Sequence, residues 1–171
     1  MSYAFTHRPR RLRNNQLLGE ILSENSLELR NLVYPVFFSG DIEKEMEIDS
    51  MPGIYRWPLK QIEKKFLEWT QKGLRSFAVF PCISKELKDA RGSEILNPDA
   101  LTYQIARKIK SIFKDVVLFG DLALDPYTSH GHDGIIDSSG NVLNDETVEI
   151  LAQASIPVSY THLTLPTKRI V

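Results

Sequence analysis

The stretch "LRSFAVFPCISKELKDARGSEILNPDALTYQIARKIKSIFKDVVLFGDLAL", residues 74–124, decides the fold. It opens on an apolar strand-like run, residues 74–82, and closes on a second one, residues 115–124. Between them lies the charged loop "KDARGSEIL", and then Asn97 and Pro98, which are expected to open a helix. Leu101, Ile105, Ile109 and Ile112 fall on one face of that helix. Strand, helix and strand in this order predict parallel pairing with a right-handed crossover.

The same alternation extends in both directions. "NLVYPVFF", residues 31–38, is a near-continuous apolar run ending at Ser39 and Gly40, as expected of a strand covered on both faces. "MPGIYRWP", residues 51–58, reads as a turn of the chain. Pro58 suits a first helical position, Leu59, Ile62, Phe66 and Trp69 follow at helical spacing, and Gly73 is a natural stop. After the third strand, "GIIDSSGNVLN" predicts a small hairpin turning at Ser138, Ser139 and Gly140, and Asn144 is expected to cap a third helix, "DETVEILAQAS". The predicted order is βαβαβ, hairpin, α: three βα units of an α/β fold.

Residues 1–30 read as an arm. Arg8, Arg10, Arg11 and Arg13 precede a short apolar-periodic stretch, and without interleaved aromatics they are expected to be solvated or to pair with a neighbouring subunit. Residues 31–156 carry the βα units. From Pro157 onward "PVSYTHLTLPTKRIV" continues no earlier pattern and resembles translated sequencing-adapter read-through, so residues 157–171 are set aside as a non-native tail. His162, Lys168 and Arg169 then carry no function.

The chain has 171 residues, 42% hydrophobic and 25% charged, with a formal net charge of -1. That balance gives no general attraction to nucleic acid. The apolar runs are shorter than the roughly 20 residues that span a bilayer, so no membrane partner is expected. Cys82 is the single cysteine; it excludes an internal disulfide and a cysteine-cluster zinc site and fits a reducing compartment. With an arm that begins within ten residues of Met1, the expectation is a cytoplasmic protein, and a bacterial one.

In parallel βα folds, ligands sit at the carboxyl ends of strands. "GDLALDPYTSHGHDG", residues 120–134, occupies such a place. Strand alternation would put Asp121, Ala123 and Asp125 on one side, and Pro126 would start a loop that folds back to bring Asp133 near Asp125. Three carboxylates favour magnesium, calcium or manganese and argue against zinc. His130 and His132 offer an alternative, a barrel metal-dependent hydrolase with a His-x-His pair, although solvated or turn-stabilising imidazoles are the plainer reading. Cys82 is expected to be a small buried hydrophobe, and "KDARGSE" offers a weak anion cradle.

Taken in order, "RPRRLR", "LVYPVFF", "SMPGIYRWP", "FPCISKELKDARGSEILNPD" and above all "DLALDPYTSHGHDG" resemble the porphobilinogen synthase (5-aminolevulinate dehydratase) family over residues 8–155. The resemblance implies a (β/α)8 TIM barrel, here its N-terminal portion, preceded by an arm that embraces a neighbouring subunit in a homo-octamer. It implies condensation of two 5-aminolevulinates to porphobilinogen in haem and other tetrapyrrole biosynthesis. Zinc-using members carry three cysteines where this chain has Ala123, Asp125 and Asp133. The resemblance is therefore to the aspartate-rich branch, which uses Mg2+, in some cases with a monovalent cation. It makes Asp121 the acidic catalytic residue and Asp125 and Asp133 the metal ligands, while Tyr127, Ser129 and His130 match the motif without an assigned role. The family's two Schiff-base lysines belong to later strands, so the resemblance also implies an inactive fragment. A third reading is a short non-catalytic protein that docks onto intact subunits through its arm.

Overall fold

A computed structural model describes residues 9–159. Five strands form one sheet in the order β2-β3-β1-β4-β5: β1 Tyr34–Ser39, β2 Met46–Ile48, β3 Met51–Pro58, β4 Ser76–Cys82 and β5 Val117–Gly120. β3, β1, β4 and β5 run parallel, while β2 pairs antiparallel with β3. Helices α2 Ile62–Gln71 and α3 Leu101–Ile112 cross between parallel strands, and α4 Asn144–Ser159 follows the last loop. This is the predicted βα alternation.

The crossovers form because each helix has one apolar stripe and the sheet offers one face to cover. Ile62, Phe66 and Trp69 of α2 and Ile105, Ala106 and Ile109 of α3 are buried against Val36, Phe38, Phe77, Val79 and Leu118. Phe66 is at the centre, its ring centroid 4.5 Å from Phe77 and 5.4 Å from Trp69. A second cluster, Ile95, Leu124, Tyr127, Ile135, Ile150 and Ala154, lies under the loops at the carboxyl end of β5. It anchors the segment that carries the aspartates.

Five expectations change. Residues 51–58 are strand β3, not a turn: Pro52 and Gly53 (φ +82°) sit only at its start, and beyond them Tyr55 and Trp57 reach the helix side, where the Lys65 ammonium lies 3.9 Å above the Trp57 ring. Pro58 ends β3 and passes through a 3-10 turn, Leu59–Gln61, before α2 begins. The third strand stops at Gly120, because its ladder with β4 ends at Val79 and no strand among the described residues flanks its other side. The expected hairpin reduces to a single bridge between Ile136 and Val142, closed by the Asp137 carboxylate accepting from the Ser139 and Asn141 amides. Neither asparagine caps as expected. Ala100 immediately precedes α3, and Asn144 already lies within α4.

The N-terminal segment makes a 3-10 turn, Pro9–Arg13, and a six-residue helix, α1 Gln16–Ile21, capped by the Asn15 side chain accepting from the Leu17 amide at 2.8 Å. α1 buries none of its residues, and Leu17 and Ile21 are 68% and 79% exposed, so this arm does not pack on the core. Arg8 and residues 160–171, most of the segment set aside as a tail, lie outside the described residues. Among the described residues no helix is long and apolar enough to cross a membrane.

Candidate active site

The aspartate segment is shaped by loop closure instead of strand alternation. Beyond Gly120 the chain leaves the ladder, so Asp121, Ala123 and Asp125 do not share a strand face. Leu124, fully buried, is the hinge: its carbonyl accepts the Tyr127 and Thr128 amides, and its own amide donates to Asp133 Oδ1 at 2.6 Å. That last bond makes the fold-back that brings Asp133 toward Asp125. Burial raises the Asp125 pKa, the charges of Asp133 and Asp121 raise it further, and Lys88 works against them. The charges of Asp121 and Asp133 thus bear on Asp125, and the chain reaches this arrangement by a loop and not by strand alternation.

Tyr127 and Thr128 pin the loop from below. The Tyr127 hydroxyl is hydrogen-bonded to Thr102 of α3, and burial pushes the phenol pKa up. Tyr103 donates to the Ile95 carbonyl at 2.6 Å, and burial, then Tyr127, push its pKa up to about 12. Thr147 of α4 closes the far side, accepting from the buried Ile135 amide at 3.0 Å and donating to the Leu143 carbonyl at 2.8 Å. Thr147→Val keeps the shape but leaves the Ile135 amide without a partner. A loss of about 1–3 kcal/mol is expected, read as a lower urea midpoint at unchanged m-value.

The loop after β4 joins the site. Asp89 bridges to Thr128: its amide donates to the Tyr127 carbonyl at 3.3 Å, and its carbonyl accepts the Ser129 amide at 2.8 Å. The expected anion cradle in "KDARGSE" is already filled, since Asp89 Oδ1 accepts the Arg91 and Ser93 amides at 2.9 and 3.0 Å. Arg91 in turn pairs with Glu146 of α4 at 2.7 Å. Lys88, just before this bridge, is the site residue that sequence reasoning missed. A lone lysine in a charged loop carries no signal; its charge lowers the Asp125 pKa against the other causes, and it precedes the residue that bridges to Thr128.

Of the two histidines, His130 is placed for hydrogen bonding. His130 Nδ1 accepts the His132 amide at 3.2 Å, which leaves Nε2 as the N–H that donates to the Ala90 carbonyl at 3.1 Å. Both nitrogens are engaged, so His130 offers no lone pair to a metal as it stands. Cys82 is half-buried at the end of β4, and burial pushes its thiol up, away from a nucleophilic thiolate.

Among the described residues no group of three His, Cys, Asp or Glu is arranged to hold a metal ion. The expected three-carboxylate cup is therefore not assembled as a closed protein cage. The oxygen-only donors Asp125 and Asp133 do fit a hard cation that keeps most of its water and takes one or two carboxylates, which is the coordination habit of magnesium. A cation would also relieve the repulsion that raises the Asp125 pKa.

The sequence profile described as Delta-aminolevulinic acid dehydratase matches residues 6–161. The chain is 40% identical over 149 residues to the delta-aminolevulinic acid dehydratase of Chlamydia pneumoniae, covering 87% of this chain and 45% of that protein. It is 37% identical over 153 residues to the chloroplastic enzyme of Selaginella martensii, covering 88% of this chain and 36% of that one. The crystal structure of the Toxoplasma gondii ME49 enzyme, in complex with the reaction product porphobilinogen, superposes with a TM-score of 0.87 at 37% identity, covering 93% of this chain and 45% of the other. The chain thus spans less than half the length of these relatives. A profile match over nearly its whole length, joined to the same α/β architecture, places this chain in the delta-aminolevulinic acid dehydratase family.

Proposed function

We propose that the chain is the N-terminal part of a porphobilinogen synthase of the aspartate-rich, magnesium-using branch, acting on 5-aminolevulinate. The observation that supports this reading is the loop of residues 121–133, which follows a parallel strand at its carboxyl end, carries Asp121, Asp125 and Asp133, and turns Asp133 back onto the Leu124 amide. In the reaction two substrate molecules lose two waters and form one porphobilinogen. Asp121, exposed beside Asp125, orients a substrate amine and accepts or returns its proton. Asp125 and Asp133 would hold Mg2+, in some cases with a monovalent cation as a further partner. When bound, the ion supplies positive charge against which a substrate oxygen is polarised.

The exposed apolar arm is the surface for a second subunit and supports a homo-octamer, and the single half-buried thiol fits the cytoplasm. A metal hydrolase built on His130 and His132 is disfavoured by the hydrogen bonds that occupy both His130 nitrogens. Sequencing the source locus past codon 156 tests the proposal. Further barrel strands with two strand-end lysines are expected, and the extended product should form porphobilinogen. A reading frame that encodes "SYTHLTLPTKRIV" and then stops would favour the short docking protein instead.

A further inference from the structure

We propose that His130 is a positioning residue: its neutral ring clips the loop after β4 to the loop after β5 and so fixes the carboxylate of Asp133 beside Asp125. Its role as a support for a cation site rests on the function proposed above; the clip itself does not. Gly131, at φ +76°, folds the chain so that the His130 ring reaches the amide two residues ahead. That amide belongs to His132, whose carbonyl is held from the other side by the Thr128 hydroxyl at 2.9 Å. The residue is thus fixed at both its N–H and its C=O. Asp133 follows directly, and its Oδ1 takes the Leu124 amide.

The other end of the ring makes the connection between loops. Nε2 donates to the carbonyl of Ala90, which sits between Asp89, bridged to Thr128, and Arg91, ion-paired to Glu146. Ala90 is therefore a fixed point. With the ring in place, the loop after β4 cannot move away from the aspartates without breaking the His130 bond. Lys88 precedes Asp89, which the bridge to Thr128 holds to the same loop. Groups that orient metal-binding side chains without touching the metal commonly change affinity by about tenfold or more when removed. His130, exposed in part and absent from any ligand set on its own account, has the geometry for that task.

The test uses the 171-residue chain at pH 8 and its His130→Ala and His130→Gln variants. Nitrogen-15 spectra of the parent should show the His130 ring as the Nε2–H tautomer. Hydrogen exchange at the Leu124 amide should accelerate on the order of tenfold in His130→Ala, with the Val79 amide of β4 unchanged. His130→Gln, which keeps a side-chain N–H for Ala90, should recover most of that protection. Leu124 exchange within twofold of the parent, equal acceleration at Val79, or an Nδ1–H tautomer would overturn the inference. Mn2+ titration separates it from the functional reading. Mn2+ broadening at Asp125 and Asp133, weakened about tenfold in His130→Ala, supports both. A parent that binds no Mn2+ yet loses Leu124 protection in the variant retains the clip and removes the cation site.

Discussion

Purified 171-residue chain, incubated with 5-aminolevulinate and magnesium, is expected to form no porphobilinogen above a heat-killed control. The reaction implied by the family resemblance needs two lysines as Schiff-base nucleophiles, and such a lysine must be desolvated or flanked by other cations. Several of the described lysines are otherwise engaged. Lys60 pairs with Glu43, Lys65 with Glu68 and the Trp57 ring, and Lys110 donates to the Val116 carbonyl. Lys88 acts electrostatically on Asp125, so the charge it meets there is a carboxylate and not a cation. The site is also open to water: β5 has one neighbour, and Val117 and Phe119 along it are 45% and 49% exposed. A site that cannot exclude water loses much of the electrostatic stabilisation on which catalysis depends. Porphobilinogen detected from this chain alone would overturn the prediction and make Lys88 the first residue to mutate.

Phe66→Ala is expected to cost about 3–5 kcal/mol, the range for removing a fully buried aromatic side chain. Phe66 has no exposed surface, and its ring meets Phe38, Trp69, Phe77 and Phe113 at centroid distances of 6.2, 5.4, 4.5 and 5.8 Å. No neighbour can collapse into the space, because the sheet on one side and α3 on the other are themselves held by this cluster. For a chain of this size the loss corresponds to a fall in Tm of about 10–15 °C. Near-ultraviolet circular dichroism of Trp57 and Trp69 should record the transition. A Tm within about 3 °C of the parent would show that the cluster is not the keystone of the fold.

The stripes of α2 and α3 and the runs of β1 and β4 were legible in the sequence because each depends on local periodicity and flanking breakers. β3 was not, since Pro52 and Gly53 carry turn chemistry, whereas the pairing of residues 56–58 with β1 is a long-range contact. At the site, the three aspartates were legible by type and spacing. Their route together was misread: alternation along an extended third strand was expected, but without a ladder on its outer side β5 ends at Gly120, and closure from Leu124 to Asp133 takes over.

By itself, the sequence determined the α/β class, the order of the βα units, the family, and the presence of three aspartates behind the third strand. Only the tertiary structure decided that β3 belongs to the sheet, that Asp89 bridges to Thr128, and that His130 is hydrogen-bonded to the Ala90 carbonyl of the loop after β4. The division has a physical cause. Periodicity and motif chemistry are carried by neighbouring residues, while a bond between Ala90 and His130, forty positions apart, exists only once β4 and β5 are paired.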